Sequence, residues 1–210
     1  ASHLSRAITM ATQLDDRHEA AETELALRAR LVPPLLAAYG YASDDVARNT
    51  ARATQLFDQT RSAAHKIVIL RAECQWAIVR ARYGRAMEIA VEMNRLARDA
   101  EDSGVALDAL LLRGLVEMYA GQLRTARMTL ERCISLYDPD RHAAHALRQG
   151  VDIQSAGPAY LSRALWLLGQ TDAARAAAER AVEIAAKSPI PLAETQASCM
   201  MMLLHLISED

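Results

Sequence analysis

The residues that could carry chemistry are concentrated in one stretch, between Cys133 and Asp152. His142 and His145 are three positions apart, about one helical turn, and the Cys133 thiol and the Asp152 carboxylate lie nearby in sequence. Imidazole, thiolate and carboxylate groups are the ligands that zinc prefers. No further pair of ligands has the spacing of a metal site, so we predict no bound metal. We expect His142 to fix an irregular connection by hydrogen bonding and His145 to be solvated.

Three aspartates in the same stretch raise a second type of chemistry, acid–base catalysis by paired carboxylates. Asp138 and Asp140, however, stand where a helix N-terminus needs a cap, and no nucleophile motif accompanies them or Asp152. The chain also lacks a phosphate-binding loop of the Gly-x4-Gly-Lys-Ser/Thr type. We therefore predict that this chain is not an enzyme and that it uses no cofactor.

Recognition of a partner is the class of function that these observations leave. In an array of helix pairs the first helix of each pair lines the concave face, so polar residues there without a core role are ligand candidates. Arginine suits such positions because its guanidinium group binds carboxylates and phosphates through two contacts. The predicted groove residues are Gln75, Arg82, Arg113, Gln122, Arg163 and Gln170.

A repeated pair of helices must position these residues. The pattern is a small or branched residue near the start of a helix, followed by apolar residues at helical spacing, and its markers are Val46, Ala86, Ala126 and Ala174. The markers are separated by 40, 40 and 48 residues. A period of this length is typical of helical repeats. The sequence therefore predicts an all-α fold, a tetratricopeptide-like α-solenoid in which antiparallel helix pairs form a right-handed superhelix.

We expect residues 1–210 to form a single array of about four full helix pairs with a partial unit at each end, and thus a fragment of a larger protein. The extra length of the last step lies between Asp138 and Gly157. There we predict a short helix around Arg141 to Arg148, an irregular segment from Gly150 to Pro158, and a new first helix from Tyr160.

Composition limits the partners and the compartment. Apolar residues make up 51% of the chain and aromatic residues only 4%, which suits closely packed helices. The 24 basic and 26 acidic residues nearly cancel, so no global field would recruit nucleic acid or an anionic membrane. The three cysteines are widely spaced and indicate no disulfide framework. We expect a soluble cytoplasmic protein that binds neither nucleic acid nor membrane.

One segment carries a more specific resemblance. It comprises Leu-Tyr-Asp-Pro-Asp-Arg-His at positions 136–142, then Gly150, Asp152 and Tyr160, and then Ala-Leu-Trp-Leu-Leu-Gly at positions 164–169. This pattern resembles the tetratricopeptide region at the C-terminus of bacterial multidomain signalling proteins. In that family a nucleotide cyclase or protein kinase head is followed by an AAA-like STAND ATPase and then by the helical array. The chain departs from the family at Ile153-Gln154-Ser155, where a Pro-Gly pair is usual.

The resemblance implies a regulatory domain for signal transduction that binds a protein or peptide partner, or the ATPase and cyclase domains of its own protein. Two alternatives stay open from the sequence. The array could serve only as a scaffold for self-association into a homo-oligomer through its apolar ends. It could also be the sensor region of a large ATP-binding transcriptional regulator.

Overall fold

The structure is a computed structural model that describes residues 2–207, and the side chains of all of these except residues 2, 148, 191 and 207. Within this range the chain is all-α and contains no strand. It forms eleven α-helices and a short 3₁₀ turn at Phe57–Gln59. The α-helices are α1 (Ser2–Ala11), α2 (Arg17–Tyr39), α3 (Asp44–Thr54), α4 (Ala63–Val79), α5 (Tyr83–Asp99), α6 (Ser103–Tyr119), α7 (Leu123–Leu136), α8 (Pro139–Gln149), α9 (Ile153–Leu167), α10 (Thr171–Ala185) and α11 (Pro191–Ile207).

The helices are divided between two compact units, and the division falls between Leu96 and Ala97, inside α5. In the first unit each helix from α1 to α4 packs on the next, and α4 also packs on α2. Its core contains two apolar clusters, one around Leu25 and Ile69 and one around Leu31 and Val46. Packing of each helix on its next and next-but-one neighbour buries apolar residues on more than one face of a helix.

The second unit packs in a similar order except at α8. Helix α9 contacts α6, α7, α10 and α11, whereas α8 lies against α6. A cluster of small residues, including Ala159, Ala181 and Ala185, forms part of the core, and Ala146 of α8 belongs to it. Small side chains let these helices approach closely, so the unit is dense although it has few aromatic residues.

The four marker residues have the same burial. Val46 is 1% exposed, and Ala86, Ala126 and Ala174 are 0% exposed. Each lies in the first turn of the helix that follows a connection: α3, α5, α7 and α10 respectively. The sequence period therefore identified positions that are equivalent in burial and in place along their helices.

Three of the four connections that precede a marker helix share one turn geometry. In each turn one residue has a positive φ; these residues are Ala81, Gly121 and Gly169, with φ values of 56°, 80° and 75°. The next residue then donates its N–H to a carbonyl five positions back, as in a Schellman cap; the three pairs are Arg82–Ala77, Gln122–Glu117 and Gln170–Leu165, at 2.8, 2.8 and 3.0 Å. Glycine fits this conformation without strain, whereas Ala81 carries a Cβ there.

One expected helix boundary was wrong. Helix α9 begins at Ile153, and not at Tyr160, because Asp152 caps it; Pro158 lies inside it. Helix α2, from Arg17 to Tyr39, also contains prolines, Pro33 and Pro34. A proline within a helix removes one hydrogen bond, and tertiary packing can offset that loss.

The repeated turn gives a test of stability. Replacing Ala81 by glycine should raise the free energy of unfolding by up to about 1 kcal/mol, because an L-residue with positive φ costs about 1–2 kcal/mol and the added flexibility of glycine offsets part of the gain. Gly121→Ala should lower it, by about 1 kcal/mol, at the equivalent position. Urea unfolding followed by circular dichroism measures both. A loss of stability in Ala81→Gly would contradict the assignment of the turn.

Candidate ligand-binding cleft

Helix α8 occupies the extra residues of the 48-residue step. The Asp138 carboxylate accepts the N–H of Asp140 at 3.0 Å, and Pro139 occupies the first position of the helix, where no N–H is needed. At the other end Gly150 has a φ of 68° and donates its N–H to the Ala146 carbonyl. The predicted short helix and its aspartate cap are therefore confirmed.

His142 anchors the start of α8. Its Nδ1 accepts the backbone N–H of Asp138 at 2.9 Å, and its Nε2 lies 3.0 Å from Oγ of Ser103, on α6. The ring is buried and lies 5.5 Å from the Tyr137 ring, centroid to centroid. The prediction that His142 fixes this connection by hydrogen bonding is confirmed.

The Ser103–His142 pair has the distance of a nucleophile and its base, but its proton is in the wrong place for that chemistry. Because Nδ1 accepts an N–H, the neutral ring carries its proton on Nε2 and donates it to Ser103. A general base needs a free lone pair at that nitrogen. Burial, and then the Arg141 charge, lower the pKa of His142, which keeps this tautomer neutral. The pair is a clamp between α6 and α8.

His145 was predicted to be solvated, and that prediction was wrong, since the ring is only 2% exposed. It packs on Gly104 of α6, where a Cβ would lie 2.7–2.8 Å from ring and Cβ atoms of His145. Its Nε2 lies 3.9 Å from an oxygen of the buried Asp108 carboxylate. The imidazole fills the place of the side chain that Gly104 lacks, so α8 lies close against α6.

The residues on either side of α8 add polar groups. Tyr137 is half-buried, and burial, followed by the charges of Asp152 and Asp138, raises the pKa of its phenol. The hydroxyl is therefore a neutral hydrogen-bond donor. Asp152, 7% exposed, accepts the N–H of Gln154 at 3.0 Å and so caps α9. A hydroxyl and a carboxylate thus flank the two ends of α8.

One side of α10 supplies charged groups. Arg180, Glu183 and Lys187 are exposed, and none of them has an ion-pair partner among the described residues. Ile184, between them, is half-buried. A ligand can therefore pair with these side chains without first breaking an ion pair of the described residues.

These elements enclose two adjoining cavities, of about 280 and 230 Å³. They share three lining residues, Tyr137, Gln154 and Ile184, and we call the combined space the α8 cleft. The larger cavity is completed by Ala143, Ala146, Asp152, Glu183, Lys187, Ser188, Pro189 and Ile190, and the smaller by Ile134, Pro139, Ile153, Pro158 and Arg180. Apolar walls with a few polar groups are typical of ligand sites.

Pro158 removes one helical hydrogen bond of α9 beside the smaller cavity. Pro158 lies inside α9 and has no N–H, so it cannot donate the regular helical hydrogen bond to the Gln154 carbonyl four residues earlier. Both residues line this cavity. The cleft thus combines two carboxylates, a phenol and two cations, which suits a ligand with both N–H donors and anionic groups.

The six predicted groove residues have different placements. Gln75 lies on α4, Arg113 on α6 and Arg163 on α9, all first helices as predicted. The other three, Arg82, Gln122 and Gln170, lie in the turns before α5, α7 and α10. Because the turn geometry repeats, these three are equivalent to one another, but they do not lie on the first helices.

Each predicted arginine makes intramolecular contacts. The Arg82 guanidinium lies 4.8 Å from the centre of the Trp76 ring. Arg113 donates from Nε to Glu117 at 2.7 Å. Arg163 lies over the Tyr119 ring at 5.2 Å and its Nη1 lies 3.3 Å from the Tyr119 hydroxyl. Cation–π contacts of this kind are worth about 0.5–1 kcal/mol at exposed sites, so they hold the side chains in place.

Gln170 also lines a separate groove of about 350 Å³. Its Oε1 accepts from Nη1 of Arg127 at 2.9 Å, while Nε of Arg127 donates to Glu131. Arg124 is on the same side of α7. Of the six predicted residues, none lines the α8 cleft. The sequence did contain one signal for the cleft, since the last marker step is eight residues longer than the others. The charged residues that α10 contributes to the cleft match no recognisable sequence motif.

Other classes of site were sought in the described part of the chain. No group of three or more His, Cys, Asp or Glu side chains there could hold a metal ion. Cys133 is buried, burial raises the pKa of its thiol to about 12, and Sγ contacts the Leu107 carbonyl at 3.4 Å, so it is not a thiolate ligand. Among the described helices, none combines the length and the apolar character needed to cross a membrane.

Comparison of the chain with protein-family models, with curated proteins and with solved structures gave no match.

The packing of His145 on Gly104 can be tested by a methyl group. Gly104→Ala should destabilise the docking of α8 by about 1–3 kcal/mol, the usual cost of overpacking, because the new Cβ meets the imidazole. Amide hydrogen exchange of residues 139–149 should become faster. The matched control is Gly84→Ala, at an open helical position of α5, which should be neutral or stabilising by up to about 1 kcal/mol. Unchanged exchange in Gly104→Ala would contradict the contact.

The His142 clamp predicts a dependence on pH. The pKa of His142 is lowered from its unfolded value of 6.5, so its contribution to stability is complete above pH 6.5 and is lost as pH falls from 6.5 through the lower folded pKa. His142→Asn keeps an acceptor for the Asp138 N–H but does not titrate. The loss of thermal stability between pH 7.5 and 5 should therefore be smaller in this variant than in the wild type. Equal losses would show that His142 is not the titrating group.

Proposed function

We propose that this chain is a non-catalytic recognition module and that the α8 cleft is its binding site. The observation that carries the proposal is that the cleft forms where the chain departs from its own repeat. Insertions in repeat proteins map to one face, which is often the binding face. The cleft also holds three charged side chains without internal partners, on α10.

The architecture that we propose for the whole chain is a tetratricopeptide-like α-solenoid, a right-handed superhelix of antiparallel helix pairs. Three facts support it: the equal burial of the four markers, the repeated turn, and the packing of helices on near neighbours in sequence within each unit. Modules of this class bind through surfaces formed by successive repeats, and their stability is a sum over neighbours. An insertion can therefore gain a binding role while the adjoining helix pairs remain intact.

We place this module in a bacterial cytoplasmic signalling protein, on the strength of the sequence pattern around positions 136–169. Its partner is a protein or peptide, which includes a segment of an ATPase or cyclase domain of the same protein. Binding would transmit a signal only if the partner binds two states of the module with different affinity. Because α8 borders the cleft, the two states that we propose differ in whether α8 is docked on the rest of its unit.

The proposal is tested by filling the cleft. Ala143 and Ala144 are neighbouring exposed residues of α8, and only Ala143 lines the cleft. A library of fluorescent hexapeptides is screened for binding to the wild type by fluorescence polarisation. Ala143→Trp should weaken the selected peptides at least tenfold because the indole occupies the larger cavity, whereas Ala144→Trp should change their affinity less than twofold.

Equal binding by the two tryptophan variants would refute the cleft as the site. Circular dichroism checks that both remain helical. Light scattering over a dilution series is run in parallel, because concentration-dependent assembly without peptide binding would favour the self-association scaffold. This pair of measurements separates the two functions.

A further inference from the structure

The charges of α10 indicate what the α8 cleft binds, given that it is the binding site proposed above. Arg180 lines the smaller cavity and Lys187 the larger one. They are seven positions apart, about two helical turns, so their backbone positions are about 10 Å apart along the helix. Both are exposed and neither has an ion-pair partner among the described residues. Two separated cations therefore mark the two ends of the cleft.

The groups between these cations differ in character from the ends. Ile184 is shared by both cavities and supplies an apolar wall, and Glu183 adds a negative charge. The Asp152 carboxylate is an acceptor, and the neutral Tyr137 phenol is a donor. The middle of the cleft thus favours N–H donors and apolar groups and disfavours a carboxylate, which Glu183 would repel.

We propose that the occupant is a peptide segment in the polyproline II conformation, with two acidic residues three positions apart and no acidic residue between them. This conformation has three residues per turn and rises about 3.1 Å per residue, so residues three apart project from the same side about 9 Å apart, close to the spacing of the two cations. The carboxylates pair with Arg180 and Lys187, one in each cavity. A backbone N–H of the segment faces Asp152, and the part of the segment between the two carboxylates contacts Ile184.

A free dicarboxylic acid of similar length shares the two carboxylates but lacks the N–H groups. It gives the Asp152 carboxylate no further hydrogen bond, and an incompletely satisfied buried group costs affinity. This difference selects the peptide as the occupant. A free dicarboxylic acid can therefore serve as a probe that distinguishes a peptide ligand from a small dicarboxylate with the same two charges.

The test uses a fluorescent, acetylated and amidated peptide of sequence Gly-Asp-Leu-Ala-Asp-Gly, with fluorescence polarisation at low and high salt. The wild type should bind it, and the affinity should fall as salt screens the charges. The double variant Arg180→Gln, Lys187→Gln should bind at least tenfold more weakly. Arg175→Gln, an exposed arginine of α10 outside the cleft, is the matched control and should change affinity less than twofold.

Three peptide controls test the pattern. A peptide with lysines in place of both aspartates should not bind. Peptides with the two aspartates adjacent, or with an additional aspartate between them, should bind more weakly than the first peptide. Azelate, a nine-carbon dicarboxylate, should compete more weakly than the unlabelled peptide.

The outcomes separate this inference from the function that it rests on. If selected library peptides lose binding in Ala143→Trp but not in the Arg180→Gln, Lys187→Gln variant, the cleft is the site and the acidic pattern is wrong. If azelate competes better than the peptide, a peptide is the wrong class of ligand. If Ala143→Trp binds every peptide as the wild type does, both the cleft and its proposed occupant are wrong.

Discussion

Close approach between helices, at positions without side chains, is the constraint on which the second unit depends. At Gly114 a Cβ would lie 2.7 Å from the side chain of Leu130, at Gly157 it would lie 2.9 Å from Ile134, and at Gly104 it would meet His145. Helix α7 thus inserts one side chain into a gap on α6 and another into a gap on α9, while α8 inserts its imidazole into α6. Because a packed interior tolerates little change in volume, these contacts fix where α7 and α8 lie, and so fix two walls of the cleft.

Buried carboxylates add orientation to this packing. Glu24 of α2 is buried and accepts from Arg28 and, through two nitrogens, from Arg52 of α3. Although burial opposes it, hydrogen bonding from Arg52 and Arg28 lowers the pKa of Glu24. In the second unit Glu117 accepts from Thr129 of α7 at 2.6 Å and from Arg113. Such pairs add little net stability over apolar packing, but a mismatched register would leave a buried charge without a partner. Arg113 is accordingly held by Glu117 inside its own unit.

Features that depend on local sequence pattern, such as helices and their caps, could be predicted from the sequence. Features that depend on contacts between residues far apart in the chain could not. Apolar periodicity, caps and turn glycines predicted most helices, and the small markers identified equivalent buried positions. Burial of His145 could not be predicted in the same way, since it depends on Gly104, which lies on another helix. The start of α9 was misplaced because Gly157 and Pro158 are helix-breaking residues in isolation, and here the packing of Ile134 on Gly157 offsets their cost. The cleft itself results from α8 and α10 coming together, and no local pattern encodes that.

Helix α8 differs from its neighbours in how it is held. Its buried contacts with the rest of the second unit are those of two imidazoles and small residues such as Ala146, whereas Leu147 is exposed. A segment with little buried apolar area opens at a lower free energy than the core around it. The helix pairs on either side do not need α8, since α9 packs directly on α6, α7 and α10. Helix α8 is therefore the least strongly held wall of the cleft, and a ligand that contacts both α8 and α10 stabilises its docked position by the difference in affinity between the docked and undocked states.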